Sequence, residues 1–211
     1  MSKVKICGIT NAQDALWAAN LGADFIGLNF YSESPRKVSL KHAKELVSQL
    51  PPFLKAVGLF VNAPLSDIET AVRKVPLSMI QLHGDESVEF SQSVKNLGVT
   101  VIKVFRLQAP IDPAALAPYS SIVDYFLFDK YSDQLQGGTG EVFDWTWIDR
   151  NALSGKPWFL AGGLTPENVE AAIKQTQAPF VDVCSGVEHT PKRKDYEKMK
   201  AFIQMAKSIR V

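Results

Sequence analysis

Cysteine is almost absent from this chain, with Cys7 and Cys184 the two among 211 residues. A lone pair without Cys-x-x-Cys spacing builds no disulfide framework, which points to a reducing compartment and a cytoplasmic location. Histidine is nearly as scarce: His42, His83 and His189 stand far apart. Metal-ligand spacing is missing with it, so no metal site is expected. An excess of one charge is lacking too. The 23 basic and 22 acidic residues leave a formal net charge of +1, which gives no general attraction for nucleic acid or an anionic membrane. No apolar run approaches the roughly 18 residues of a membrane span. The start, Met1-Ser2-Lys3-Val4-Lys5, passes directly into strand-like sequence and reads as carrying no leader.

What is present is apolar content, 46% of the chain, enough for one substantial core, and a repeating rhythm. Short β-branched or aromatic runs alternate with segments of helical spacing. Strands are expected over 4–7, 25–29, 56–60, 79–82, 101–105, 125–128, 158–161 and 180–183. Between and after them, helices are expected over 12–21, 40–50, 65–75, 88–97, 114–117, 145–151, 166–176 and 196–208. Thr10, Ser39, Asp112 and Thr165 act as N-caps or lie beside them, and Pro64, Pro113 and Pro166 suit a first helical turn, where a missing amide donor costs nothing.

Eight such units of about 26 residues fit an α/β fold, a single (β/α)8 TIM barrel over residues 1–211 with eight parallel strands and outer helices. A doubly wound open sheet gives the same alternation and is the competing reading. The stretch Gln136-Gly137-Gly138-Thr139-Gly140 sits inside a unit, so it reads as a mobile loop over the active face rather than a linker.

Barrels carry their chemistry at the C-terminal ends of the strands. Cys7 closes the first, beside Gly8, which lets a ligand approach the backbone. Strand alternation puts Lys5 on the same face, where an ammonium would lower the thiol pKa from about 8.5. With no histidine partner in sequence, proton abstraction suits Cys7 better than nucleophilic attack, although a lone cysteine there reads equally as packing. Cys184 reads as a small packing residue. Asp129 closes the apolar run Tyr125-Phe126-Leu127-Phe128, where desolvation would raise a carboxyl to the range of a general acid, unless it only begins a turn. His83 offers a hydrogen bond or an anion contact. Arg36 offers a fork for a carboxylate, against the plain reading of a solvated loop arginine. Asp182 lies in the last strand. Gly162 and Gly163 follow strand seven and Ser185 and Gly186 follow strand eight, the two loops whose bare amides make the common barrel phosphate site.

Together these stretches resemble the phosphoribosylanthranilate isomerase family from one end of the chain to the other. The resemblance is carried by Lys5-Ile6-Cys7-Gly8-Ile9-Thr10, Gly27-Leu28-Asn29-Phe30 with Ser34-Pro35-Arg36, Gly58-Leu59-Phe60-Val61-Asn62 and Gln81-Leu82-His83-Gly84. It continues through Phe128-Asp129, Gly137-Gly138-Thr139-Gly140 with Phe143-Asp144-Trp145, Leu160-Ala161-Gly162-Gly163-Leu164 with Asn168-Val169, Asp182 with Ser185-Gly186-Val187-Glu188, and Lys194-Asp195. It implies a small barrel without metal or organic cofactor, acting on a phosphorylated small molecule in an Amadori rearrangement. Asp129 is then the general acid and Cys7 the general base. Arg36 would pair with the anthranilate carboxylate, the amides around Gly162, Gly163, Ser185 and Gly186 would hold the phosphate, Asp182 would lie near the substrate nitrogen and His83 in the substrate pocket. Two departures stand out: Cys184 replaces the usual serine or asparagine, and Pro191-Lys192 stands where the family commonly reads Pro-Gly. A metal-dependent pentose-phosphate epimerase and a non-catalytic, phosphate-binding barrel are the competing readings. The sequence leaves monomer and homodimer equally open.

Overall fold

Eight strands run parallel and close on themselves in chain order. They are β1 (Lys3–Ile6), β2 (Phe25–Asn29), β3 (Lys55–Phe60), β4 (Met79–Leu82), β5 (Thr100–Leu107), β6 (Tyr125–Lys130), β7 (Trp158–Leu160) and β8 (Phe180–Val183). Closure joins the first to the last, with Lys3 opposite Phe180 and Ile6 opposite Val183. An open sheet would leave two strands with one neighbour each, so the doubly wound alternative is removed. The computed structural model describes residues 1–131, 142–153 and 155–210. The Gly-rich segment expected to form a loop over the active face lies outside the described residues.

Around the strands run α1 (Ala12–Asn20), α2 (Leu40–Val47), α3 (Leu65–Lys74), α4 (Val88–Lys95), α5 (Pro113–Leu116), α6 (Val169–Thr176) and α7 (Tyr196–Ser208). Their starts follow from side chains that take up orphan amides. Ser39, Ser87 and Asp112 accept from His42, Phe90 and Ala114 respectively. Thr10 only neighbours the true cap of α1, Asn11, whose side chain accepts from the Asp14 amide. The helices turn apolar residues inward, such as Ala15 and Ala18 of α1, Ile68 and Ala71 of α3 and Phe202 of α7. These pack on the outward faces of the strands, including Ile6, Ile26, Ile80, Phe126 and Phe128.

The barrel lumen has a separate apolar cluster of Phe25, Val57, Met79, Ile102, Val104, Leu127, Phe159 and Ala161. Phe159 and Phe180 close its lower end with ring centroids 4.7 Å apart. Burying each such ring stabilises by about 1.5–3 kcal/mol. This plug fills the base of the lumen and leaves the polar chemistry to the C-terminal mouth.

Several boundaries differ from expectation. Residues 48–50 leave α2 through single tight turns ahead of Pro51 and Pro52, because a proline disfavours helical geometry in the residue before it. Pro166 lies in a turn and α6 begins at Val169, because Asn168 spends its side chain locally, accepting from the Thr165 amide and donating to the Gly163 carbonyl. The helix expected over 145–151 is two 3-10 turns, Trp145–Trp147 and Arg150–Leu153. A short hairpin of β9 (Glu188–Thr190) and β10 (Arg193–Lys194) follows β8 and has no counterpart in the sequence reading.

Candidate active site

Cys7 sits one residue past β1, buried, with its amide donating to the Val183 carbonyl at 2.8 Å. Gly27 on β2 is required beside it, because a Cβ there would lie 2.7 Å from the Cys7 sulfur and 3.2 Å from Lys5 Nζ. Lys5 is fully buried and donates to Asp182 Oδ2 at 3.0 Å across the β1–β8 pairing. Burial opposes the Lys5 charge, but Asp182 and Cys7 outweigh it and hold the ammonium ionised above its ordinary range. Burial pushes Asp182 up to about 7 against the pull of Lys5. Its other oxygen, Oδ1, has no hydrogen-bond partner among the described residues.

Lys5 does approach the Cys7 thiol, but it does not set its ionisation as the sequence suggested. The hydrogen bond with Cys184, together with burial, pushes Cys7 well above the ordinary thiol range and overrides the ammonium. Cys184 is correspondingly drawn down to about 6, first by its hydrogen bond with Cys7 and then by Lys194 and Arg36, against burial. The two thiols are thus coupled, with that of Cys7 raised and that of Cys184 lowered. Cys184 is not the inert packing residue the sequence suggested.

Arg36 is buried, not solvated. Ser34 Oγ accepts its amide, and Nε and Nη2 donate to the two oxygens of Glu188 at 2.7 Å each. Lys194 Nζ, also buried, donates to the Cys184 carbonyl at 2.8 Å and to Glu188 Oε1 at 3.3 Å. Burial works against the Glu188 carboxylate, yet these two cations outweigh it and keep its titration below the usual range. Glu188 and Lys194 were not chosen from sequence, although both lie in stretches that carry the family resemblance.

Asp129 lies inside β6, opposite Arg106 of β5, rather than just past a strand. Its side chain is a quarter exposed, with Oδ2 3.1 Å from His83 Nε2, so desolvation is incomplete. Gln81 Nε2 lies 2.8 Å from His83 Nδ1. With the amide assigned this way, the ring proton is on Nε2 and is donated to Asp129. Gln81 was the third site neighbour missed, and its place two residues before His83 on one strand face was the signal.

His83 is held in turn by its own loop. Glu86 Oε1 accepts from the Asn62 and Gly84 amides at 2.9 and 3.0 Å, while Oε2 accepts from buried Lys103 at 2.7 Å.

Gly162 and Gly163 leave β7 with φ of 83° and 71°, values that favour glycine. Gly186 packs so closely on the Leu164 carbonyl that a Cβ would collide with it. The loops after β7 and β8 thus touch, bringing Gly162, Gly163, Ser185 and Gly186 to one side of the mouth. Asp182 interacts electrostatically with both Cys7 and Asp129. Among the described residues, no three His, Cys, Asp or Glu side chains are arranged to hold a metal ion, and no helix is long and apolar enough to cross a membrane.

This arrangement is similar to that of known proteins. The model of a family described as N-(5'phosphoribosyl)anthranilate (PRA) isomerase matches residues 4–205. An N-(5'-phosphoribosyl)anthranilate isomerase of Neisseria meningitidis serogroup A is 45% identical, over 97% of this chain and 96% of its own. The crystal structure of phosphoribosyl anthranilate isomerase from Thermotoga maritima superposes with a TM-score of 0.91 at 38% identity, covering 99% of this chain and all of that one. A further isomerase structure, in complex with reduced 1-(o-carboxyphenylamino)-1-deoxyribulose 5-phosphate, gives 0.87 at 36% identity, with 99% of this chain and 100% of that chain covered. A match of this extent, on a barrel whose mouth holds a thiol and a carboxyl, places the chain in the N-(5'-phosphoribosyl)anthranilate isomerase family.

Proposed function

We propose that the chain converts N-(5-phosphoribosyl)anthranilate into 1-(2-carboxyphenylamino)-1-deoxyribulose 5-phosphate, an Amadori rearrangement within tryptophan biosynthesis. The observation that carries this reading is that Cys7, Asp129 and Asp182 all stand toward the C-terminal ends of their strands, just past β1 and in β6 and β8, at one barrel mouth. Asp129 donates a proton to the furanose ring oxygen, the C1–O bond breaks, and the nitrogen lone pair forms a Schiff base. The His83 N–H then stabilises the carboxylate left on Asp129. Cys7 takes the proton from C2, and the freed electron pair makes the C1–C2 double bond of an enolamine. Return of a proton to C1 and loss of one from the C2 hydroxyl give the ketone, so no proton or electron is gained overall.

The Cys7 thiol is raised and that of Cys184 lowered, so Cys7 serves as base once its own proton has passed to Cys184, leaving the Cys7 thiolate beside Lys5. The loop amides of Gly162, Gly163, Ser185 and Gly186 hold the phosphate. Arg36 keeps donors beyond the two engaged by Glu188 and directs them to the anthranilate carboxylate. Asp182 lies near the substrate nitrogen, and His83 lines the substrate pocket. The chain works as a monomer or homodimer, and a cytoplasmic setting keeps Cys7 and Cys184 as thiols.

The test is turnover of the aminoaldose by the purified protein with chelator present, followed by the change in anthranilate fluorescence. Conversion to the aminoketose supports the reading. A metal requirement would favour an epimerase-type reaction, and binding without turnover would favour a sensor or scaffold.

A further inference from the structure

Cys7 and Cys184 lie on strands that are neighbours only because the barrel closes. β1 and β8 pair Lys5 with Asp182 and Ile6 with Val183, so Cys7 and Cys184 come next in line. Adjacent strands lie about 4.8 Å apart, inside the range of about 4.4–6.8 Å between Cα atoms that a disulfide spans. The Cys184 backbone leaves strand geometry, with φ −121° and ψ −86°. Its sulfur lies by Gly8, where a Cβ would come 2.9 Å from it, and its ionisation is coupled to that of the Cys7 thiol. Cys184 is partly exposed whereas Cys7 is buried.

We propose that Cys184 is an oxidation site for hydroperoxides whose product closes onto Cys7 as an intramolecular disulfide, silencing the enzyme reversibly. Cys184 sulfur attacks one peroxide oxygen, the S–O bond forms as the O–O bond breaks, and the leaving oxygen takes a proton. Cys7 sulfur then attacks the sulfenic sulfur, the S–S bond forms, and the departing hydroxide takes the Cys7 proton as water. The two thiols lose two electrons in total, and the hydroperoxide gains them. Lys194 Nζ, 3.9 Å from the Cys184 sulfur, favours the thiolate that begins the sequence. The silencing rests on the role of Cys7 as base; formation of the disulfide does not.

Reduced protein treated with hydrogen peroxide is read by intact mass without reductant, by thiol titration and by peptide mapping. The expected result is loss of the mass of two hydrogens, disappearance of both titratable thiols, a peptide joined through Cys7 and Cys184, and activity that falls and returns with a dithiol. In Cys184→Ser, inactivation by peroxide should slow by about 10-fold or more. Oxygen added to the sulfurs without a cross-link, disulfides between molecules, or an unchanged inactivation rate in Cys184→Ser would overturn the proposal. A Cys7–Cys184 disulfide that leaves turnover intact would support the pairing and instead remove Cys7 as the base. If Cys184→Ser fails to fold, the mass of the parent protein still decides.

Discussion

The carboxylate of Asp129 and the ring of His83 meet at 3.1 Å, Oδ2 to Nε2, and Gln81 holds the far side of that ring. A donor aimed at the charged form of an acid favours the state reached after the acid has given up its proton. The assignment therefore ranks three substitutions. Asp129→Asn and Cys7→Ala should each lower kcat by about 10²–10⁴-fold with the fold intact, and His83→Gln should lower it less, by about 10-fold. Steady-state kinetics with circular dichroism as the folding control decides this. Near-normal turnover in either of the first two would take that residue out of the mechanism.

Iodoacetamide should alkylate Cys184 in preference to Cys7, at a rate that rises through about pH 6 and is level by pH 8. Because the folded pKa of Cys184 is depressed, its ionised form contributes stability that is complete above the range of an unfolded thiol and lost as pH falls through about 6. Peptide mapping across this range checks both statements. Labelling centred near the ordinary thiol value of about 8.5 would contradict them.

Arg36→Lys keeps the charge but not the two-pronged grip on Glu188. KM should rise about 10-fold with kcat nearly unchanged, which is about 1.4 kcal/mol of lost binding. A fall confined to kcat would place Arg36 in the chemical step instead.

Lys192 occupies a left-handed conformation, φ 76°, in the turn between β9 and β10, a conformation that favours glycine. The Lys192 carbonyl accepts from Thr10 Oγ1 at 2.7 Å, which ties the turn to the loop after β1. Lys192→Gly should raise stability by about 1 kcal/mol by removing the Cβ clash. The urea midpoint measures it, and no gain would mean that the added freedom of glycine in the unfolded chain cancels the relief.

Much of this architecture was legible in one dimension. The runs at 25–29, 79–82 and 180–183 match their strands residue for residue, because each is a short, mostly apolar stretch that opens directly after Asp24, Ser78 or Pro179. β5 runs past its expected end at 105 to Leu107, since Arg106 and Leu107 pair with Asp129 and Lys130, partners that local pattern does not reveal. The site divides the same way. Cys7 and Asp129 are visible as polar punctuation after apolar strands. The grip of Arg36 on Glu188, 152 positions apart, and the coupling of Cys7 with Cys184 depend on barrel closure, which local periodicity does not encode.

That closure also governs when the site comes into being. The strand leading to Cys7 is made well before its β8 neighbour, the Asp182 that holds Lys5 and the Lys194 that faces Cys184. A nascent chain that stops short of β8 leaves Lys5 without its counter-ion and two strand edges open to other chains. The mouth of the barrel is thus assembled only once the segment through Lys194 has joined β1.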